Sequence, residues 1–258
     1  MALTNEQKEY VVQVIKNSLR KKFTNYESKD NFMPFHFRLL GKDRLALHSF
    51  MHSILTTFGG SVFEPVAVTI AKNRFVKAEA QYFVGNTIFS DCQNNITEIV
   101  NKLTFGGIPN KTADLEILKN SLSGKINKVK PAKADLFVEN EKGEQFLFDL
   151  KTVKPNKGDF EKFKQMLLTW AGIAFTNNKD LKVNTLLGIT YNPFFPNPYK
   201  SWQMRAMIDI DKELMVAEKF WDFLGGEGAY NELLDCFEKA GIELRPEIDT
   251  YFARFNNQ

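Results

Sequence analysis

The stretch FLFDLKTVKP, residues 146–155, reads as an apolar strand ending in an acid and a base. Side chains alternate across a strand, so Phe146, Phe148 and Leu150 share one face and Leu147, Asp149 and Lys151 the other. A second strand-like stretch, ADLFVE, comes before it, and Asn140-Glu141-Lys142-Gly143-Glu144 between them is a hairpin signature. A three-residue loop, Glu141-Lys142-Gly143, with Gly143 left-handed pairs Asn140 with Glu144. Counting back sets Asp135 opposite Asp149 and keeps Leu136 and Val138 on the apolar face with Phe148 and Leu150; a two- or four-residue loop sets Asp135 opposite Leu150 instead. Two opposed carboxylates come within roughly 5 Å, where like charges destabilise a sheet. Lys151 or a divalent metal can offset that repulsion. Magnesium takes one or two carboxylates, waters and a substrate phosphate oxygen, and the main-chain carbonyl of Leu150 is in reach. Such a layout suits phosphodiester hydrolysis: the metal polarises the phosphate and acidifies a bound water, and Lys151 orients that water or stabilises developing charge. Asp-x-Lys alone is a weak signal, and a surface hairpin with a salt-bridged Asp and Lys is the plainer alternative. The spacing Asp135…Asp149-Leu150-Lys151 with an amphipathic helix next favours a nuclease.

That helix is GDFEKFKQMLLTWAGIAF, with Asp159 as N-cap and Phe160, Phe163, Leu167, Trp170, Ala171 and Ala174 at helical spacing. VNTLLGITYN then reads as a buried strand, NPFFPNPYKSWQMR as a proline-rich loop and RAMIDID as a further strand. The rest reads as helices: KELMVAEKFWDFLGG, GAYNELLDCFEKAG and a short one near Pro246 to Phe255. Upstream, Thr4 and Gln7 form a capping-box pattern before a stripe of Val11, Val14, Ile15 and Leu19. A second helix starts at Asp43 and stops at Gly59-Gly60, Ser61 and Glu64 cap another, and one more spans about Asp91 to Leu103. The order implies an α/β fold in which helices flank a mixed sheet in one domain, 1–258: a mainly helical N-terminal region, 1–130, a core, 131–210, and a helical C-terminal region, 211–258.

The 258 residues are 43% hydrophobic and 25% charged, ordinary for a globular protein. Cys92 and Cys236 have no metal-type spacing and suit a reducing compartment. The polar start and the lack of an apolar run of membrane-spanning length suggest a cytoplasmic protein. Net charge is only +3, but residues 209–258 carry 12 acids against 5 bases, leaving 29 bases against 19 acids in the first 208. This suggests a polyanion-facing body with an acidic tail region, although solvated helix faces explain charge alone equally simply.

Asp135…Asp149-Leu150-Lys151 is similar to the PD-(D/E)XK signature of many restriction endonucleases and related nucleases. KADLFVENEKG and FLFDLKTVKPNKGDFEKFKQMLLTWAG resemble the TdeIII/MjaII type of Type II restriction endonucleases, and AEKFWDFLGGEG resembles the helix following the core in enzymes that cut GGNCC-like sites. Ala134 stands where the proline that names the motif is expected. The resemblance implies a PD-(D/E)XK core with helical additions at both ends. It also implies a magnesium-dependent enzyme that cuts both strands of duplex DNA at a short palindrome as a homodimer, with a methyltransferase protecting host DNA. Asp135 and Asp149 would hold Mg2+, with the Leu150 carbonyl nearby, and Lys151 would assist the attacking water.

Enzymes of this kind present a further carboxylate from a helix before the core strands. Glu64 is the first candidate and Glu79 the second; completing a capping box with Ser61 is the competing role for Glu64. Lys133 shares the face of Asp135, and Lys154, Lys157, Lys162 and Lys164 follow the acidic strand, all candidates for phosphate contact. Lys200, Gln203 and Arg205 in the proline-rich loop suit base reading, lysine and arginine for guanine and glutamine for adenine. His48 and His52 lack a third ligand and read as ordinary core or surface residues. Phe220, Trp221, Phe223 and Phe237 supply either a dimer interface or their own core. Another PD-(D/E)XK nuclease, for repair or junction resolution, or a noncatalytic DNA-binding protein on this fold are the alternatives.

Overall fold

The computed structural model describes residues 2–26, 33–152, 159–199 and 202–257. Lys154, Lys157 and Lys200 lie outside them, as does the side chain of Gln203. The chain runs α1 (Asn5–Asn25), α2 (Pro34–Leu40), α3 (Lys42–Phe58), a π turn (Gly59–Phe63), α4 (Glu64–Ala71), β1 (Lys77–Phe89), α5 (Ser90–Thr104), α6 (Lys111–Asn120), β2 (Ile126–Glu139) and β3 (Glu144–Lys151). It continues with α7 (Phe160–Asn177), β4 (Lys182–Ile189), α8 (Trp202–Met207), α9 (Ile210–Glu213), β5 (Leu214–Val216), α10 (Glu218–Gly225), α11 (Ala229–Phe252) and a final 3₁₀ turn, Ala253–Asn257.

The five strands form one mixed sheet in the order β1-β2-β3-β4-β5. β1, β2 and β3 pair antiparallel, and β3–β4 and β4–β5 pair parallel. The hairpin has the anticipated three-residue loop: the Asn140 and Gly143 amides donate to the Glu144 and Asn140 carbonyls at 3.1 and 2.9 Å. Gly143 is left-handed at φ +72°, where glycine carries no Cβ penalty. Leu136 pairs with Phe148 and Val138 with Phe146, so the register continues to Asp135 opposite Asp149.

Helices cover both faces. On one, Leu136, Val138 and Phe148 pack with α1, α4, α10 and α11 through Val11, Val66, Ile70, Phe220 and Leu233. On the other, Phe137 and Leu147 pack with α5 and α7. The acid-bearing face of β3 is therefore core as well, and turns polar only at its end. Phe220 and Trp221 are buried, and Phe223 and Phe237 pack on the same core, so these side chains build the fold.

Several expectations change. Gly59-Gly60 does not end a helix: the Glu64 amide donates to the Gly59 carbonyl across the π turn, joining α3 to α4. With its amides already in the ladder there is no N-terminus to cap, and the Ser61 hydroxyl donates instead to the Thr57 carbonyl at 2.8 Å. The joined helix, Lys42–Ala71, is long and apolar enough by composition to cross a membrane, so the expectation that no run reaches that length fails. Its last turns are core, with Val62, Val66, Ala67 and Ile70 all buried. β1 lies in the region read as mainly helical, its alternation broken by register shifts around Gly85. RAMIDID forms no strand but spans the end of α8 and the start of α9 with a break at Ile208-Asp209, and Leu214–Val216, read as helix, is an edge strand on Leu187–Ile189. α11 runs through Pro246 without a break. The carbonyl that a proline leaves unpaired four residues back belongs to Ile242, which is exposed to water.

Candidate active site

The residue that organises the site is Asp135, in the C-terminal third of β2. Its Oδ2 accepts from the Leu150 amide at 2.8 Å, fixing the carboxylate across the β2–β3 pair. Asp149, next in register, is 7% exposed. Lys151 Nζ lies 2.6 Å from Asp149 Oδ2, an ion pair by distance. The contact lacks hydrogen-bond geometry, so that buried oxygen has no satisfied hydrogen bond. The lysine also sits 5.2 Å above the Phe163 ring of α7, within cation–π range.

The end of β3 is held from behind. Lys151 pairs with Ile189 of β4 and its carbonyl accepts from the Thr190 amide at 3.1 Å. Trp221 Nε1 in turn donates to the Thr190 carbonyl at 2.9 Å. The AEKFWDFLGGEG segment thus buttresses the strand end that carries Lys151, a role its apolar spacing alone does not reveal.

Glu64, at the start of α4, is half-buried and aimed at the same cluster: its Oε2 accepts from Gln81 Nε2 at 2.9 Å, and that nitrogen lies 3.4 Å from Asp135 Oδ1. The capping role for Glu64 is excluded. Glu79 is instead exposed and ion-paired with Lys77 at 3.2 Å. Gln81 was not anticipated, because no strand was read there.

Burial pushes the Asp149 carboxyl above the ordinary range, Lys151 pulls it back and Asp135 adds to the rise. Burial also raises Glu64, against the hydrogen bond from Gln81 and with the charge of Asp135. Anionic carboxylates crowded in this way, one with an unsatisfied buried oxygen, suit a hard cation. Among the described residues no group of three or more His, Cys, Asp or Glu side chains stands ready to hold a metal. Two carboxylates beside the Leu150 carbonyl supply oxygen ligands of the kind a hard cation takes.

Of the proposed DNA contacts, Lys133 and Arg205 are exposed, and Gln203 lies in α8. Lys162 is exposed too, but Lys164 is fully buried, 2.8 Å from both Asp114 and Glu213, and cannot reach a phosphate. Its helical spacing from Phe160 and Leu167 was compatible with that burial. His36, His48 and His52 are exposed. The loop of residues 191–199 leaves β4 beside Lys151, on the edge of the sheet that carries the acids.

Residues 3–241 match the family described as Type II restriction endonuclease, HinfI. Type II restriction enzyme HgiCII of Herpetosiphon aurantiacus is 26% identical over 226 residues, 86% of this chain and 82% of that protein. HgiEI of the same organism is 26% identical over 229 residues, with the same shares covered. Type II restriction enzyme MjaII of Methanocaldococcus jannaschii, the likeness anticipated from the hairpin, is 28% identical over 239 residues, 81% of this chain and 63% of that protein. With a mixed sheet flanked by helices, two carboxylates and a lysine at the β2–β3 edge, and a family match along most of its length, the chain belongs to the HinfI family of Type II restriction endonucleases, hydrolases that cleave DNA.

Proposed function

We propose that the chain cuts both strands of duplex DNA at a short palindrome, GGNCC-like, in a magnesium-dependent reaction centred on Asp135, Asp149 and Lys151. The observation carrying this reading is the convergence of these three side chains at one strand edge, with the Leu150 amide holding Asp135. Asp135, Asp149 and the Leu150 carbonyl would hold Mg2+, which when bound would polarise the phosphate and lower the pKa of a water. Lys151, held beside Asp149 and over Phe163, orients that water and offsets charge growing on the phosphate. Glu64 supplies a further carboxylate. Lys133, Lys154, Lys157 and Lys200 meet phosphates or bases, and Gln203 and Arg205 read the grooves.

The whole chain acts as one nuclease unit in the cytoplasm. A homodimer matches the symmetry of a palindrome, each active site cutting one strand, while a methyltransferase protects host DNA. Unmethylated plasmid incubated with Mg2+ yields discrete fragments with 5′-phosphate ends. Asp149→Ala abolishes them while leaving DNA binding, and Lys151→Ala slows cleavage by about 100- to 1,000-fold. A smear, cutting confined to branched DNA, or no cutting with any divalent ion would overturn the site-specific reading.

A further inference from the structure

Gln81 is held in a backbone conformation that its residue type avoids. Its φ is +51°, in the left-handed region, within a strand. Residues so placed persist only where their surroundings over-determine them. Here Ala80 pairs with Leu136 and Tyr82 with Ala134, so Gln81 stands across from Asp135. Its amide nitrogen contacts both Glu64, at 2.9 Å, and Asp135, at 3.4 Å. Among the described residues, this is the hydrogen bond that fixes the Glu64 carboxylate.

The chemistry suits the place. A carboxamide has two N–H donors and no charge, so it bridges two anions without competing as a cation and without adding repulsion. A lysine would neutralise the cluster, and a carboxylate would drive it apart. Glu64 arrives on a helix from another layer of the fold, and without a donor between them it and Asp135 repel.

We propose that Gln81 is a positioning residue that holds the Glu64 carboxylate against Asp135 beside the divalent-cation site, where its charge strengthens cation binding. The inference rests on the cation reading above. It predicts metal affinity, so the test is Mg2+ titration calorimetry on the full chain without DNA. Gln81→Met keeps the side-chain length and removes the donors; it raises the Mg2+ dissociation constant about tenfold, as losing a partner of a ligand does. Cleavage lost at low Mg2+ returns at high Mg2+. Gln81→Gly weakens Mg2+ equally while raising the melting temperature, because glycine accepts the positive φ. Adding Glu64→Gln to Gln81→Met produces little further loss, since both act through one carboxylate.

Mg2+ constants within twofold of the parent, or losses that simply add in the double variant, would overturn the proposal. A lower melting temperature in Gln81→Gly with unchanged Mg2+ affinity would mark Gln81 as structural only. Asp149→Ala separates the two levels. If it leaves Mg2+ binding intact, the cation reading itself fails; if it abolishes binding while Gln81→Met does not alter it, only the role of Gln81 fails.

Discussion

Asp149 shows how one carboxyl serves a site at the expense of the fold. Burial, with Asp135 alongside, makes it take up a proton more readily in the folded protein than in the unfolded chain, despite Lys151. Between the ordinary and the raised value the folded state therefore binds more protons, so stability falls as pH rises through that window and stays lowered above it. Asp149→Asn keeps the shape without the charge. It raises the melting temperature at pH 8 by about 2–4 °C, the shift that roughly 1 kcal/mol brings in a chain of this size. The gain fades below about pH 4, where the carboxyl is protonated in both states. Thermal melts across pH without divalent ions measure this, and a gain that ignores pH would refute it.

Among the elements, α7 does most to set the sheet. It presses on β1 and α5 through Gly172, where an added Cβ would meet Ile88 Cδ1 at 2.8 Å and Cys92 Sγ at 2.9 Å. Earlier in α7, the fully buried Lys164 links it to α6 through Asp114 and to α9 through both oxygens of Glu213, at 2.8 and 2.9 Å. Burial raises the Glu213 carboxyl and Lys164 pulls it back. Lys164→Met leaves Asp114 without its paired cation and Glu213 with only the charge of Lys111, and costs about 3–5 kcal/mol in urea denaturation, the scale for breaking a buried pair from one side. Adding Asp114→Asn and Glu213→Gln recovers most of it, because the uncompensated charge, not the missing attraction, carries the penalty. A loss under about 1 kcal/mol in the single variant would show that water reaches the cluster.

Across the whole molecule, the acidic C-terminal region finds its countercharge within the chain. α11 lies along α1, and Glu243 and Glu247 pair with Lys16 and Arg20 at 2.6 Å each, while Lys239 of α11 pairs in the opposite sense with Glu9 at 3.1 Å. The charge asymmetry thus has a structural use in joining the two ends of the chain, which the count alone did not suggest. These pairs lie at the surface and are screened by salt, so raising NaCl from about 50 to 200 mM leaves the urea midpoint nearly unchanged. Affinity for duplex DNA falls by about 10³ over the same range if six or more phosphates are contacted. An affinity flat in salt would exclude the basic residues of the body from the interface.

The sequence by itself determined the hairpin and what it brings together. A period-two pattern and one glycine at the left-handed turn position left a single register that keeps both apolar faces buried, and that register sets Asp135 against Asp149 with Lys151 beyond. The capping box of α1 and the buried β4 were legible for the same reason: their signals are local. Glu64 could be named but not separated from a cap, because the π turn that keeps α3 and α4 continuous depends on how that helix packs. Gln81 was invisible, since β1 is half-exposed, interrupted at Gly85 and held by pairing with β2 rather than by its own pattern. Edge strand β5 and buried Lys164 likewise exist only through distant partners, Leu187–Ile189 in one case and Asp114 with Glu213 in the other. Local backbone preference wrote the centre of the site into the chain; long-range packing chose the residues that surround it.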